Sequence, residues 1–378
     1  MGDNGQTGVN RGGAKRILSI DALRGFDMMW IMGFGQTLRK VGEVVGTDWG
    51  AALAYQMKHV YWAGLHLHDL IFPTFIFLAG ASWPFSLEKH RAKGMTDGQI
   101  FFRHVLKRFV LLFCLGLITS GLLGFNFIKL RYMSVLGRIA CAWFVAATTL
   151  LFLKPRKTVV AFVLMLAGYL LALRFLPGLI DPGCTKPWSS DTGNLVLMFD
   201  RMVTGVHFEK FGGEGILSAF CGASGCAFLG IFSGLMLKRE DWSATRKSLR
   251  LAVFSIALSA AAFGMAQICP CVKNMWSPTF VLMSGAIASA LLSLFHWLID
   301  VKGWTGWSFF FRVIGMNAIT IYVLRCFVDF SVTSRRILHG TLKMVPSEWH
   351  EPVVLAGSFI VCWVLLLFLY RKKIFLKV

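Results

Sequence analysis

Charge is scarce in this sequence. Asp, Glu, Lys and Arg together make up 15% of its 378 residues, whereas 56% are hydrophobic and 14% aromatic. A water-soluble domain of that length covers its surface with far more ionisable side chains, so a soluble enzyme or binding module is excluded. Acidic residues are scarcer still, 19 against 39 basic, which leaves a formal charge of +20. The basic residues are scattered over many short loops and do not interleave with a polar aromatic platform, so no nucleic-acid partner is expected. No secretory leader is expected from the first residues. Met1 to Lys15 is polar and glycine-rich without an apolar core, and Gln6 stands where a myristoylation signal needs Ser or Thr. Residues 1–15 are expected to form a disordered tail.

Paired cysteine motifs are absent as well. Of nine cysteines, Cys114, Cys141, Cys221, Cys226, Cys326 and Cys362 fall inside apolar runs, where a thiol behaves as a small hydrophobe. Cys184, Cys269 and Cys271 fall in connecting segments. The Cys-Pro-Cys at 269–271 is neither a redox CxxC nor half of a zinc site, and no metal is expected. A disulfide from Cys184 to one of that pair is open if its side of the membrane is oxidising; three free thiols is the plainer reading. Nor is there an internal repeat of the kind that builds inverted-repeat transporters.

What the chain has in quantity is long apolar runs. About ten recur with the length needed to cross roughly 30 Å of hydrocarbon, near 19–38, 65–87, 104–123, 132–153, 157–176, 215–237, 249–267, 278–299, 307–328 and 352–370. The expected fold is therefore an all-α integral membrane protein, a polytopic bundle in a lipid bilayer. With the amino terminus on the cytoplasmic side, roughly 23 Lys and Arg fall inside and roughly 14 outside, which is the positive-inside pattern with both termini cytoplasmic. The run GGEGILSAFCGASGCAFLGIFSG carries small residues at helical intervals, the pattern of a helix that neighbours approach closely. Such faces also suit self-association, and a homodimer is expected. The long outer connection around 174–214 has room for a short interfacial helix.

Ionisable residues within or beside membrane spans are costly and call for a reason. Asp21 and Arg24 are three residues apart, on one helix face, and read either as a neutralising ion pair or as a charged wall for a polar ligand. In KHVYWAGLHLHDLIFPTFIFLAG, His59, His66, His68 and Asp69 crowd the approach to a span. A metal site fits poorly, because His66 and His68 point apart on a helix. One imidazole beside a carboxylate suffices for acid–base or nucleophilic work, although each His alone is equally well read as interfacial. Pro73 is expected to break that span and open backbone groups to a cavity. Arg131 and Arg138, seven apart and read on one helix face, suit phosphates; snorkelling to the interface is the plain alternative, more so for Arg131. Glu214, Lys273, Asn274, Trp276, Arg312 and Asn317 complete the polar set near span ends. On the residues alone, an enzyme and an amino-sugar permease stand side by side.

Several of these stretches resemble the heparan-alpha-glucosaminide N-acetyltransferase family in its short bacterial form. They are RILSIDALRG, KHVYWAGLHLHDLIFPTFIFLAG, RYMSVLGRIA, GGEGILSAF, KNMWSPTFV, DVKGWTGWSFFFRVIGMNAITIYV and LYRKKIFLKV, in the family's order from about residue 16 onward. The resemblance implies one transmembrane acyltransferase domain over 16–378, in a bacterial inner membrane. It implies acetyl-coenzyme A as co-substrate and an amino sugar as acceptor, glucosamine or a sugar containing it. His59 matches the family's acetyl-transferring histidine and Asp69 the Asp of its Asp-Leu-x-Phe-Pro; these are the implied catalytic residues. Asp21 and Arg24 match its Asp-x-x-Arg-Gly, Arg138 its span-four arginine, and Asn274 with Trp276 its Asn-x-Trp-Ser. The coenzyme-binding set then reads Arg24, Arg131, Arg138, Lys273, Asn274 and Trp276, and the sugar-binding set Asp21, Trp62, Glu214 and Asn317. An Asn that animal members carry ahead of the histidine has no match, Gln36 being the candidate in its place. Direct transfer with His59 as base and double displacement through an acetyl-histidine both remain open, as does O-acylation of an envelope polysaccharide.

Overall fold

A backbone in hydrocarbon must satisfy its own hydrogen bonds, and these apolar runs do so as helices. The computed structural model describes residues 17–125, 130–181, 187–188, 193–204 and 215–376. Among them there is no strand; the sheet-like pairing is one isolated antiparallel bridge, Ala63 to Val272. The amino-terminal tail, Cys184 and Glu214 lie outside the described residues. The chain is an all-α polytopic membrane protein.

Seven helices are long and apolar enough to span: Leu67–Ala92, Val135–Phe152, Pro155–Ile180, Ser218–Lys238, Ala244–Ala266, Pro278–Val301 and Ser347–Arg371. An eighth span is broken, Ser308–Gly315 and Ala318–Phe327 meeting at 64°. The expected count of ten is not reached by this measure, for a local reason in each remaining case. The first apolar run is interrupted at Gly33, whose φ of 119° kinks the chain between Leu18–Met29 and Gly35–Val45. The third, ending in Lys107–Thr119, opens with Arg103, His104, Lys107 and Arg108. Pro73 does not break its span either. It sits in the first turn of Ile71–Ala92, where a missing N–H costs nothing.

Burial sorts the spans. Leu67–Ala92, Val135–Phe152, Ser218–Lys238 and Pro278–Val301 are mostly enclosed, while Pro155–Ile180, Ala244–Ala266 and Ser347–Arg371 expose most of their surface. On the exposed helices the outward residues are apolar, among them Leu164, Leu171, Ile256, Phe263 and Ile360, as lipid contact requires. Two helices at the centre, Ile71–Ala92 and Ser224–Lys238, touch backbone to backbone. A Cβ on Gly80 would collide with the carbonyl of Ala227, one on Gly230 with that of Phe77, and one on Gly234 with that of Ala81. Close approach through small residues is how helices gain dispersion energy where lipid removes the hydrophobic drive. Gly230 and Gly234 of the expected small-residue stripe thus lie in this contact.

Candidate active site

Two connecting segments at one end of the bundle build the site. The first follows helix Asp48–Gln56 and runs without regular structure to His66, which caps a short 3-10 turn, Leu67–Leu70, ahead of Ile71–Ala92. Asp69 is the third residue of that turn, so its carboxylate reaches back to accept from the His66 N–H at 3.1 Å, while the Asp69 N–H donates to the His66 carbonyl at 3.0 Å. The same Oδ2 accepts from the Val60 N–H at 3.2 Å, and Oδ1 accepts from His59 Nδ1 at 2.7 Å. His66 turns the other way and places Nδ1 2.8 Å from the Lys58 carbonyl, so the two flanking imidazoles diverge.

The second segment, Cys269 to Ser277, is a tight loop that its own side chains fix. Ser277 Oγ donates to the Pro270 carbonyl and accepts from the Val272 N–H, and Thr279 Oγ1 donates to the Cys269 carbonyl. Trp276 closes the turn with φ 48° and packs edge-on against Phe72 at 5.2 Å between ring centres. Burial pushes the thiols of Cys269 and Cys271 up to about 11 and about 12, so the pair is unreactive near neutral pH. Both are free thiols. The loop's role is to carry Lys273. The Ala63–Val272 bridge and a 2.8 Å bond from the Gly64 N–H to the Cys271 carbonyl clamp the two segments together. Lys273 Nζ then lies 3.0 Å from Asp69 Oδ1 and 2.9 Å from His59 Nδ1.

Those three distances fix the protonation pattern. A carboxylate accepts only, so the short Nδ1–Oδ1 contact puts the imidazole proton on Nδ1, and the ammonium donates to Oδ1. The Nζ–Nδ1 approach is then a contact between neighbours and not a second hydrogen bond. Asp69 is fully buried, yet its two oxygens receive four donors, two of them backbone. That set is what makes an enclosed carboxylate tolerable. Among the described residues none forms a hydrogen bond with His59 Nε2, and the His59 side chain is 57% exposed.

That ring borders a cavity of about 620 Å³. Lys273, Arg131, Arg138 and Asn274 line it together with Gln36, His68 and Tyr322, and Ile71, Phe72, Phe75, Leu136 and Ile139 supply its apolar part. The cavity thus combines three cations, a base and an apolar wall. Arg138 sits in the first turn of helix Val135–Phe152 and is 1% exposed. Arg131 precedes the Ser134 cap and lies outside the helix, so the two guanidinium groups share the cavity without sharing a helix face.

Other expected site residues lie elsewhere. Asp21 and Arg24 form their ion pair, 3.2 Å, and Arg24 also donates to Ser82 Oγ at 2.8 Å; neither lines the cavity. Trp276 is buried behind the wall, and Trp62 donates its indole N–H to the Trp188 carbonyl at 2.7 Å, so both act as struts. Asn317 is buried at the break between Ser308–Gly315 and Ala318–Phe327. Sequence reasoning did not single out Asp200, on helix Leu195–Thr204. Its carboxyl accepts from the Ile216 N–H at 3.1 Å, feels the Arg138 charge, and is pushed up to about 6 by burial. Among the described residues no His, Cys, Asp or Glu group is arranged to hold a metal ion.

No family model matches the sequence. Two curated proteins do. Heparan-alpha-glucosaminide N-acetyltransferase of Homo sapiens is 27% identical over 423 positions, which cover 96% of this chain and 60% of the relative. The Mus musculus protein of that name is 25% identical over 436 positions, covering 99% of this chain and 62% of the relative. The chain spans about three-fifths of the length of these relatives.

Proposed function

We propose that this chain, by both matches a member of the heparan-alpha-glucosaminide N-acetyltransferase family, moves an acetyl group from acetyl-coenzyme A to the amine of glucosamine or a glucosamine-containing sugar. The observation that carries the proposal is the His59–Asp69–Lys273 cluster at the edge of a cavity that also holds Arg131 and Arg138. A permease has no need of an imidazole held by a buried carboxylate with its second nitrogen left clear. The residues fit the donor. Arg131, Arg138 and Lys273 supply positive charge for its phosphates, Asn274 adds an amide, and the apolar wall suits the uncharged arm that ends in the thioester.

In this mechanism Asp69 holds His59 in one tautomer and stabilises the ring when it becomes cationic. His59 Nε2 takes a proton from the sugar's amine, which then attacks the thioester carbonyl directly. Lys273 keeps Asp69 charged, and its own charge favours the oxyanion that develops beside it. Asp21 and Arg24 leave the binding sets under this reading. The orientation that best fits the basic loops puts both termini in the cytoplasm of a bacterial inner membrane and the His59 end of the cavity outside, where the sugar is.

The test uses the purified protein in detergent with radiolabelled acetyl-coenzyme A and glucosamine, with His59→Ala run in parallel. Labelled N-acetylglucosamine from the wild type and none from the variant supports the reaction and the residue. Label retained on the protein without sugar, and lost in His59→Ala, replaces direct transfer with an acetyl-histidine. Glucosamine binding without product, with any amino sugar, returns the permease.

A further inference from the structure

A second, smaller cavity of about 190 Å³ shares Trp30, His68 and Ile71 with the wall of the first. The titratable side chains on its wall are His68 and Asp27; most of the rest is apolar, with Thr74 the hydroxyl. Asp27 comes from helix Leu18–Met29 and is 4% exposed, and its buried Oδ2 has no hydrogen-bond partner among the described residues. The same holds for the buried His68 Nδ1. On its other side the His68 ring packs on His59, 4.6 Å between ring centres. Asp69, Lys273 and Arg39 are the other charged groups whose fields act on His68.

A buried polar atom without a partner is costly, and His68 and Asp27 each carry one while both side chains border this cavity. The chemistry proposed above supplies a use. At neutral pH the acceptor amine arrives as an ammonium. As the C–N bond forms and the C–S bond breaks, its nitrogen loses two protons. One ends on the departing thiolate and the other must leave the site. His59 faces both transfers with one nitrogen, so it has to discharge the first proton before it takes the second.

We propose that His68 takes the first proton from His59 and shares it with Asp27 across the small cavity while His59 handles the second. The stored proton returns through the exposed His59 ring to solvent once the products leave, so that the relay is emptied within each turnover. The inference rests on the acetyltransferase reading. It adds two residues that act through His59: Asp27, which does not line the larger cavity, and His68, which borders it.

The experiment measures steady-state N-acetylation of glucosamine by wild type, His68→Phe, His68→Ala and Asp27→Asn, with thermal melting in detergent as the control for folding. The expected result is a kcat reduced about tenfold or more with KM for both substrates unchanged. A larger solvent isotope effect should accompany it, and added imidazole should restore His68→Ala. Asp27→Asn keeps the shape of Asp27 and covers the case in which a ring replacement fails to fold. Wild-type kcat and isotope effect in both His68→Phe and Asp27→Asn overturn the relay and leave the acetyltransferase standing. A loss that imidazole does not relieve, with an unchanged isotope effect, assigns both residues to packing and also overturns it. A wild type that makes no N-acetylated product removes the reaction itself, and the relay with it.

Discussion

Lys273 Nζ and Asp69 Oδ1 lie 3.0 Å apart across 204 residues of sequence, and Asp69 is fully enclosed. The pair is therefore held by the fold and not by local chain geometry, and it fixes the electrostatics of His59. Removing one partner strands the other charge in a low-dielectric setting, which costs several kcal/mol where burial is complete. Lys273 is 11% exposed, so water relieves part of that cost on its side.

Asp69→Asn keeps the shape of the side chain but puts an amide against His59 Nδ1. The amide N–H₂ favours a ring that accepts at Nδ1 and therefore carries its proton on Nε2, the nitrogen needed as base. N-acetylglucosamine formation is expected to fall by about 10²–10⁴-fold with little change in KM. Retention of more than a tenth of wild-type kcat would remove Asp69 from the mechanism.

Lys273 has two proposed duties, to neutralise Asp69 and to place charge in the cavity. Lys273→Met removes both, and Lys273→Arg keeps the charge on a different geometry. The expectation is a raised KM for acetyl-coenzyme A together with a kcat lowered by about 10–10³-fold in Lys273→Met. Lys273→Arg should recover KM more than kcat. Titrations of initial rate against donor concentration for both variants separate the two duties.

The sequence made some of this legible and hid the rest for physical reasons. Apolar runs mark membrane helices because the length requirement is strict, and eight of the ten expected segments overlay helices without a sharp break. The run at 307–328 reads as one span, but its halves meet at 64°, since the bend at Asn317 depends on packing that hydropathy does not report. Gly33 hid the kink in the first run in the same way; a glycine within an apolar helix reads equally as a packing contact. At the site, His59 and Asp69 stood out because they are ten residues apart in one segment. Lys273 entered as a coenzyme-binding residue, because no local pattern announces a partner 204 residues away. Trp62 and Trp276 looked like ligands because aromatic residues near a membrane boundary serve as struts and as stacking surfaces alike.

The central helix crossing is expected to be intolerant of side-chain volume. Gly230→Leu would drive a branched side chain into the carbonyl of Phe77 on the opposing helix, and neither backbone has room to yield. Overpacking costs about 1–3 kcal/mol even where neighbours adjust, and here the neighbour is main chain. The variant should lose its monodisperse peak in fluorescence-detected size exclusion and melt well below wild type. Gly168→Leu, at a helix position with open space around it, is the control and should leave the melting temperature within about 2 °C.

Asp200 gives the fold a pH dependence whose sign follows from its burial. Its carboxyl is pushed up to about 6 in the folded protein, whereas an exposed Asp titrates near 3.9. The folded state therefore binds the proton more tightly than the unfolded state. Its stabilising effect is complete below about pH 4 and disappears as pH rises through about 6, a span of about two pH units or roughly 3 kcal/mol. The Arg138 charge and the Ile216 N–H favour the carboxylate and set the lower side of that figure. Asp200→Asn cannot ionise, so its melting temperature should lie above wild type at pH 7.5 and converge with it near pH 4.5. Melting curves of both proteins in one detergent between those limits decide the matter. A wild-type melting temperature that rises relative to that of Asp200→Asn between pH 4.5 and 7.5 would show that the Arg138 field outweighs burial at this carboxyl.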